Sequence, residues 1–409
     1  MALIVQKYGG TSVGNAERIK NVAQRVAQTV RRGNQVLVVV YASSGTTDKL
    51  IQMAKEIHEE PSEREMDMLL STGEQISIAL LSMALHKLGV EAISFTGAQV
   101  GIITDSAHTK ARIKEISAGH LQNELAKGKV VVVAGFQGVD LANNITTLGR
   151  GGSDLTAVAL AAVLKAKECE IYTDVDGVYT ADPRIVPQAR KLSVISHDEM
   201  LELASLGAKV MNSRSIEFAK KFGVAIHVRS SFNDHEGTLI TEEAEKMEDA
   251  VLRGVTMNAD ESKVTISHVP DTPGVAAKIF KLLADANVNV DMIIQNVSDQ
   301  GKTDISFTVM NTEFNKVKKI LEGFSSEIGA KGIAFDQDIA KISIVGIGMK
   351  SHSGVAAKMF EALAKEGINI KMISTSEIKI SCVITKEHAK KAVQVLHEAF
   401  DLAKELIPE

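Results

Sequence analysis

Near its N-terminus the chain has the sequence Leu3-Ile4-Val5-Gln6-Lys7-Tyr8-Gly9-Gly10-Thr11-Ser12, a short apolar strand followed by paired glycines. A helical pattern begins near Asn15, so this turn joins a strand to a helix N-terminus. Paired glycines let backbone amides approach a ligand, and a helix N-terminus presents unpaired N–H groups and a positive dipole end. The stretch predicts an anion-binding turn with the charge of Lys7 at its mouth, although a Gly-Gly turn alone also suits a purely structural role.

The alternation of short apolar runs with longer helical patterns continues to about residue 240. Runs such as 130–134, Val-Val-Val-Val-Ala, are apolar on both alternating faces, as expected of a strand covered by helices on both sides. Strands that alternate with helices form a mostly parallel sheet. The first part of the chain is therefore predicted to be a three-layer α/β/α sandwich.

The second part of the chain contains an internal repeat. Residues 273–280, Pro-Gly-Val-Ala-Ala-Lys-Ile-Phe, match residues 353–360, Ser-Gly-Val-Ala-Ala-Lys-Met-Phe, at an offset of 80. The match continues through Asn289 and Asn369 to Met292 and Met372. Each copy has the pattern of a strand, a glycine turn, an amphipathic helix and a strand, which predicts two α+β, ferredoxin-like βαββαβ modules.

A charged stretch with few core residues, 242–249, separates the two parts. Such a stretch is typical of a linker or a solvated helix. We therefore predict a sandwich domain over 1–245, a linker and leading strand over 246–262, a first module over 263–338 and a second module over 339–409.

Composition indicates a water-soluble globular protein. The 409 residues are 45% hydrophobic and 24% charged with a formal net charge of −5, without the basic clusters of a nucleic-acid-binding protein. We see no apolar run approaching the ~20 residues that span a bilayer, so no membrane role is expected. Two distant cysteines, Cys169 and Cys382, fit buried thiols in a reducing compartment, and the cytoplasm is the expected location.

Two further segments follow predicted strands and could carry chemistry. In Gly149-Arg150-Gly151-Gly152-Ser153-Asp154 the glycines give the Arg150 guanidinium room for bidentate capture of a carboxylate or phosphate. Ser153 or Asp154 as a helix N-cap would be a purely structural explanation of part of this segment. The segment 173–184, Thr-Asp-Val-Asp-Gly-Val-Tyr-Thr-Ala-Asp-Pro-Arg, suits either nucleotide contact or two ordinary turns. Ligands bind beyond the carboxyl ends of such strands. We find no P-loop, dinucleotide fingerprint, protein-kinase loop, hydrolase elbow or metal-ligand spacing.

Together, the two glycine loops, the segment 173–184 and the tandem repeat resemble the aspartate kinases (aspartokinases) of the amino-acid-kinase family. The likeness covers essentially the whole chain, and the repeat resembles tandem ACT domains, which bind amino acids. It implies an amino-acid-kinase fold and phosphorylation of L-aspartate by ATP with Mg²⁺, giving 4-phospho-L-aspartate. That reaction is the first step towards lysine, threonine, methionine and, in many bacteria, diaminopimelate.

The resemblance also implies roles for individual residues. Lys7 would stabilise the transition state, and Asp154 would orient Lys7 or act through Mg²⁺. The aspartate site would comprise Thr47, Glu74, Arg150, Gly151, Gly152 and Ser153. The ATP site would comprise Lys7, Tyr8, Gly9, Gly10, Thr173, Asp174, Tyr179, Asp182, Arg184 and Lys209. Tyr41 departs from the family pattern, standing where relatives commonly have the serine of Ser-Ala-Met.

The repeat suggests feedback regulation. A backbone turn with carboxylate and amide groups can bind an amino-acid zwitterion, which points to an effector site in the first module formed by Asp271, Gly274, Ala276, Asn289, Asp291 and Gln295. In the second module Lys371 stands where Asp291 stands in the first. Relatives suggest threonine, lysine or both as inhibitors. The resemblance also implies a homo-oligomer, or a hetero-oligomer with a shorter regulatory chain that starts near Met247.

Two other functions remain open at this point. Another amino-acid kinase, specific for glutamate or uridylate, would share the early glycine loop but lacks the full motif set and the paired repeat. A non-catalytic amino-acid sensor would keep the repeat without turnover, and Tyr41 is the residue that favours it.

Overall fold

The computed structural model describes residues 1–208, 210–242, 251–296, 301–324, 327–347 and 354–404. Two compact units are present. The first comprises Met1–Tyr179, Lys191–Ser205 and Lys209–Lys246, and the second comprises Thr180–Arg190, Leu206–Ala208 and Met247–Glu409. The units differ from the predicted succession of domains, because two short segments before residue 245 pack with the second unit.

The first unit has twelve strands and nine α-helices among its described residues. The strands are β1 (Leu3–Tyr8), β2 (Gln35–Val40), β3 (Ala92–Phe95), β4 (Ile102–Thr104), β5 (Ile113–Ile116), β6 (Val130–Ala134), β7 (Gln137–Val139), β8 (Ile145–Thr147), β9 (Glu168–Thr173), β10 (Val194–Ser196), β11 (Ile226–Ser230) and β12 (Thr238–Thr241). The helices are α1 (Ala16–Arg31), α2 (Thr46–Ile57), α3 (Glu63–Leu70), α4 (Thr72–Lys87), α5 (Gly97–Val100), α6 (Gly119–Ala126), α7 (Gly152–Leu164), α8 (His197–Ser205) and α9 (Ser213–Phe222).

An eight-stranded sheet with the order β10-β12-β11-β9-β1-β2-β6-β3 forms the middle layer of this unit. All its pairs are parallel except β11 with β12. Helices α1 and α4 pack on one face through a core that includes Val22, Leu81 and Val38. Helix α7 packs against β1, β2 and β9, and it is apolar nearly all round because it is buried. The prediction of a three-layer α/β/α sandwich is confirmed.

A second, four-stranded sheet with the order β5-β4-β7-β8 belongs to the same unit. Its strand β8 ends at Thr147, two residues before the second glycine loop. This sheet therefore supplies the strand that leads into Arg150.

The helical segment Glu63–Lys87, which contains α3 and α4, is long and apolar enough to cross a membrane by length and composition alone. Half of its apolar window is buried inside the unit. Core helices pass the same test, and α4 packs on the sheet through Ile78, Leu81 and Leu85. Its apolar character is thus explained by packing.

The second unit contains two four-stranded sheets and four α-helices in its described part. The first module consists of β14 (Glu261–Pro270), α10 (Val275–Asp285), β15 (Val290–Asn296), β16 (Lys302–Met310), α11 (Phe314–Phe324) and β17 (Gly332–Asp336). The second consists of β13 (Val251–Asn258), β18 (Ile339–Ile347), α12 (Val355–Lys365), β19 (Met372–Thr375), β20 (Lys379–Thr385) and α13 (Ala389–Ala399). The predicted pair of α+β modules is confirmed.

The strand Val251–Asn258 differs in position from the predicted leading strand. It pairs antiparallel with β18, from Val251 opposite Ile347 to Asn258 opposite Lys341, and so completes the sheet of the second module. The second repeat has five elements of its own in the described residues, and β13 supplies the sixth. The first module is therefore inserted between two neighbouring strands of the second.

Candidate functional site

Lys7 and Asp154 form an ion pair where the two glycine loops meet. Lys7 lies near the end of β1, and Asp154 lies in the first turn of α7. Their Nζ and Oδ1 atoms are 2.6 Å apart, and each side chain is 11% exposed. The structure thus brings together the two predicted catalytic residues and holds the ammonium in place with a carboxylate.

The first glycine loop is shaped by a close approach of the backbone. A Cβ at Gly10 would lie 2.8 Å from the carbonyl oxygen of Ala42, so a larger residue would push the first glycine loop away from the loop that follows β2. The N–H of Gly9 donates to the carbonyl of Tyr172 at 3.3 Å. The backbone N–H of Gly9, which was predicted to contact ATP, therefore already has an acceptor within the chain.

Tyr8 is placed differently from the other predicted nucleotide residues. Its ring is fully buried in the core with α1 and α4, stacked on Tyr172 with centroids 4.7 Å apart. Successive strand residues point to opposite faces, so the Tyr8 side chain points away from the Lys7 face. Its backbone carbonyl accepts from the N–H of Tyr41 at 3.2 Å.

The second glycine loop needs glycine at a left-handed backbone position. Gly151 has φ +73°, and a Cβ there would lie 2.3 Å from Cβ of Asn212. Asn212 Nδ2 donates to the carbonyl of Arg150 at 3.0 Å, which fixes the loop. Arg150 itself is exposed, while Gly152 and Ser153 begin α7 as buried residues.

Glu74 is a buried carboxylate without a cationic partner among the described residues. It lies in the first turn of α4 and is fully buried. Its Oε1 accepts from the N–H of Ala42 at 3.1 Å, and Oε2 has no hydrogen-bond partner in the described part of the chain. Burial raises the pKa of Glu74 to about 8. The group is suited to pairing with a cation brought by a ligand.

Thr47 and Tyr41 lie close to this carboxylate. Thr47 Oγ1 donates to the Tyr41 hydroxyl at 3.1 Å, and the Tyr41 ring packs edge-on to Phe136 at 5.6 Å. Burial raises the pKa of Tyr41, and the charges of Glu74 and Arg150 act on it with opposite signs. Of the predicted aspartate-site residues, Thr47 thus contacts the Tyr41 hydroxyl, and Glu74 and Arg150 are near enough for their charges to act on it.

The predicted ATP residues fall into separate groups. Thr173, at the end of β9, donates to Asp174 at 3.1 Å, and the Tyr179 hydroxyl donates to Asp176 at 2.7 Å. Asp182 and Arg184 pair with each other at 2.7 Å in the segment Thr180–Arg190, which belongs to the second unit. Lys209 lies outside the described residues.

The predicted effector residues lie on exposed parts of the first module, except for Ala276. Gly274 precedes α10 with φ +98°, and Asp271, Asn289 and Gln295 are exposed. Asp291 pairs with the ammonium of Lys341 from the second module. Lys341 is 1% exposed and also pairs with Glu261 at 2.6 Å. Ala276 is half-buried in the first turn of α10.

Sequence reasoning missed Lys341 and a second buried group, Asp67. Asp67 is fully buried in α3 and bonds to His108, Thr109 and Thr147. A carboxylate inside the apolar run Met66–Leu70 was the available signal. The signal for Lys341 was the position it shares with Glu261 in the repeat, where a lysine replaces an acid.

The described residues hold no group of three or more His, Cys, Asp or Glu side chains arranged for a metal ion. Both cysteines are free and buried, as predicted. The charged side chains that the structure places at this site are Lys7, Asp154, Glu74 and Arg150. A buried ammonium beside two glycine loops at strand ends is suited to neutralising a phosphoryl group during transfer.

Comparisons with known proteins show the family to which the chain belongs. The sequence model of the amino acid kinase family matches residues 2–230, and the ACT domain model matches residues 264–323 and 342–400. The aspartate kinase of Stutzerimonas stutzeri is 58% identical over 403 residues, covering 98% of each chain. The aspartokinase of Pseudomonas aeruginosa is 58% identical over 404 residues, with the same coverage.

A solved structure is similar over the whole fold. Escherichia coli aspartokinase III in complex with aspartate and ADP, in its R-state, superposes with a TM-score of 0.84 at 26% identity and covers 97% of this chain and 99% of its own. The same protein in complex with lysine and aspartate, in its T-state, gives 0.75 over the same coverage. The chain is thus a small-molecule kinase with paired regulatory domains. It belongs to the amino-acid-kinase family, within the group of aspartate kinases.

Proposed function

We propose that this aspartate kinase transfers the γ-phosphoryl group of ATP to the side-chain carboxylate of L-aspartate on the face of the sheet that carries Lys7. The Lys7–Asp154 ion pair carries the proposal, because it places a buried ammonium between the two glycine loops. The E. coli aspartokinase III complex with aspartate and ADP supports both ligands.

Aspartate would be bound through its two charged α-substituents. The unpaired oxygen of Glu74 accepts from the substrate ammonium, and the Arg150 guanidinium takes the α-carboxylate in a bidentate pair. Thr47, Gly151, Gly152 and Ser153 line the remaining surface. This arrangement leaves the side-chain carboxylate of the substrate directed towards Lys7.

ATP would be bound by the first glycine loop and the strand ends beside it. Gly10 lets the backbone of this loop lie close to that of Ala42, and Lys7 would neutralise the charge of the phosphates. Thr173, Asp174, Tyr179, Asp182, Arg184 and Lys209 are the proposed nucleoside contacts, and Tyr8 and Gly9 are proposed to lie beside the phosphates.

The residues present fit a Mg²⁺ ion carried by ATP. Kinases hold this ion with one or two carboxylates and the substrate phosphates rather than with an all-protein cage. Asp154, and Asp174 at the end of β9, supply carboxylates of the required kind. When bound, the ion would neutralise charge on the β- and γ-phosphates.

The reaction needs no protein nucleophile. An oxygen of the substrate carboxylate attacks the γ-phosphorus, the bond to the β-phosphate oxygen breaks, and ADP leaves with the electron pair. The chain aligns the two reactants and offsets the charge that builds up on the transferring group. Asp154 keeps the Lys7 ammonium oriented during this step.

Regulation would act through the first ACT module. The proposed effector residues are Asp271, Gly274, Ala276, Asn289, Asp291 and Gln295, and lysine, threonine or both are the proposed effectors. The E. coli aspartokinase III complex with lysine supports an amino-acid effector. We also propose a homo-oligomer in the cytoplasm. The alternative assembly is a hetero-oligomer with a shorter regulatory chain. That chain would start near Met247, which lies outside the described residues.

A coupled assay with ATP, Mg²⁺ and several acceptors tests the proposal. Wild-type protein should turn over aspartate and neither glutamate nor uridylate. Lys7→Ala should lower kcat by about 1,000-fold, and Arg150→Ala should raise the aspartate KM by about 100-fold. Lys20→Ala on the exposed face of α1 is the matched control and should leave both values unchanged.

Three results would contradict the proposal. Normal turnover by folded Lys7→Ala and Arg150→Ala proteins would remove the assigned site. Turnover of another acceptor would indicate a different amino-acid kinase. Absence of any turnover by the wild-type protein would favour the non-catalytic sensor.

A further inference from the structure

One buried carboxylate joins three segments that surround the aspartate site. Asp67 is fully buried in α3. Its oxygens bond to Nδ1 of His108 at 2.7 Å and to Oγ1 of Thr147 at 2.5 Å. They also accept from the N–H of Thr109 at 3.1 and 3.0 Å. All the bonds of this cluster lie within the first unit.

Each of these segments leads to a proposed substrate contact. Helix α3 is followed at Ser71 by α4, whose first turn carries Glu74. Thr147 ends β8, three residues before Arg150. Asp67 therefore connects the element that carries the ammonium-binding carboxylate to the strand that carries the carboxylate-binding guanidinium.

The third segment supports the glycine loop directly. Thr109 has φ +64°, a left-handed conformation that is unusual for a threonine, and its N–H is held by Asp67. Its carbonyl oxygen lies 3.0 Å from the position that a Cβ at Gly149 would occupy. Any shift of residues 105–111 would thus be felt at the start of the loop that carries Arg150.

Arg214 in α9 supports the same region from another direction. It donates to the carbonyl of Leu148 at 2.7 Å and to that of Ala111 at 3.1 Å. Residues 105–111 and the end of β8 are therefore held to each other by Arg214, by Asp67 and by the N–H of Ala111, which donates to the carbonyl of Thr147 at 2.9 Å. Only the Asp67 contacts extend to the helix that leads to Glu74.

We propose that Asp67 is a positioning residue for aspartate, which fixes the separation between Glu74 and Arg150 without touching the substrate. This inference rests on the proposed function, since it assigns those two residues to the substrate ammonium and carboxylate. The cluster includes no residue proposed to bind ATP. Its loss should affect aspartate binding and leave nucleotide binding unchanged.

A carboxylate is needed because all of its partners donate. The N–H of Thr109 can only donate, the Thr147 hydroxyl donates to Oδ1, and His108 donates in the tautomer that carries its proton on Nδ1. An asparagine would direct its NH₂ group at one of these donors, so at least one contact would be lost.

The test is the steady-state kinetics of the full-length Asp67→Asn variant. We expect an aspartate KM at least about tenfold higher, with the ATP KM within about twofold and kcat within about threefold of wild type. Thr147→Val removes one of the bonds and should give a smaller change with the same pattern. If Asp67→Asn does not fold, the aspartate KM of Thr147→Val tests the positioning role in its place.

Glu124→Gln is the matched control. Glu124 is a buried carboxylate in α6 that pairs with Lys127 and Lys129, away from these segments. Its loss should lower thermal stability without changing either KM. This variant shows what a purely structural loss of a buried carboxylate looks like.

The outcomes separate this inference from the proposed function. If the wild-type protein does not phosphorylate aspartate, the proposed function fails. If the wild type is active but Asp67→Asn and Thr147→Val keep a normal aspartate KM, the positioning role is overturned. Equal increases in both KM values, or a loss of stability alone as in Glu124→Gln, would also overturn it.

Discussion

Two buried glutamates, one in each unit, have different partners. Glu74 in the first unit accepts from a backbone N–H and has no cationic partner in the described chain, and burial raises its pKa to about 8. Glu261 in the second unit is 3% exposed and pairs with the Lys341 ammonium at 2.6 Å. A buried acid paired with a cation of the chain holds the fold together. One without such a cation is available to a ligand.

The repeat explains how the second pair arises. Glu261 and Lys341 are separated by the repeat offset of 80 residues, so they hold equivalent positions in the two modules, and Asp291 and Lys371 are a second such pair. Lys341 contacts both Glu261 and Asp291, whereas Lys371 pairs with Asp336 at 2.7 Å. A change of charge between equivalent positions therefore joins the two copies.

The largest effect is expected at Lys341. Lys341→Met leaves the buried Glu261 without its cation, which should lower the free energy of unfolding by about 3–5 kcal/mol. Denaturant unfolding monitored by circular dichroism measures this change in the free energy of unfolding. Adding Glu261→Gln should recover part of the loss, and an unchanged stability in the single variant would show that the pair is not structural.

Glu74→Gln should act in the opposite direction on stability. We expect aspartate kcat/KM to fall by about 30- to 100-fold, because a charged hydrogen bond to the substrate ammonium is lost. The ligand-free protein should gain about 1–3 kcal/mol at pH 7.5, because a buried group that is costly to ionise has been removed. Kinetics and thermal melts without substrate measure the two effects. A variant that loses both activity and stability would contradict the assignment to a ligand.

The pH dependence of aspartate binding should follow Glu74. Only the ionised carboxylate pairs with the substrate ammonium, so the aspartate KM should fall as pH rises from 6.5 towards 8, by up to about tenfold per unit, and then level off. The ligand-free fold should lose stability over the same rise. In the unfolded chain the Glu74 carboxyl ionises above its ordinary pKa of 4.5, whereas in the folded protein it keeps its proton until about pH 8. Raising the pH over this range therefore favours the unfolded chain.

The Glu74→Gln variant is the control for this profile. Its aspartate KM should be high and nearly flat from pH 6.5 to 8. A wild-type profile that is equally flat would show that Glu74 is already ionised in the ligand-free protein and would remove the distinction between the two glutamates.

The smallest effect is expected at Lys371. Its side chain is 26% exposed and that of Asp336 is 37% exposed, so water screens the pair. Lys371→Met should change the free energy of unfolding by less than about 1 kcal/mol. A loss as large as that of Lys341→Met in the same denaturant titration would show that exposure does not separate the two lysines.

The sequence was sufficient to predict the sandwich and the paired modules, whereas the contact of Asp154 with Lys7 was one of two possibilities implied by the family resemblance. Strand and helix periodicity, glycine turns and a repeat are local patterns that need no knowledge of distant partners. The position of β13 needed such knowledge, because its pattern suits either sheet and only the open edge beside β18 decides between them. Asp67 and Lys341 were missed for the same reason, since their partners are 41 and 80 residues away.

The insertion of the first module has a mechanical consequence. The chain leaves the second sheet at Asn258 and returns to it near Lys341, and these two residues are direct neighbours across β13 and β18. A rotation of the first module would therefore twist β13 and β18, the two adjacent strands of the second module to which it is joined. Lys341, whose ammonium bonds to Asp291 of the inserted module, is located at this junction.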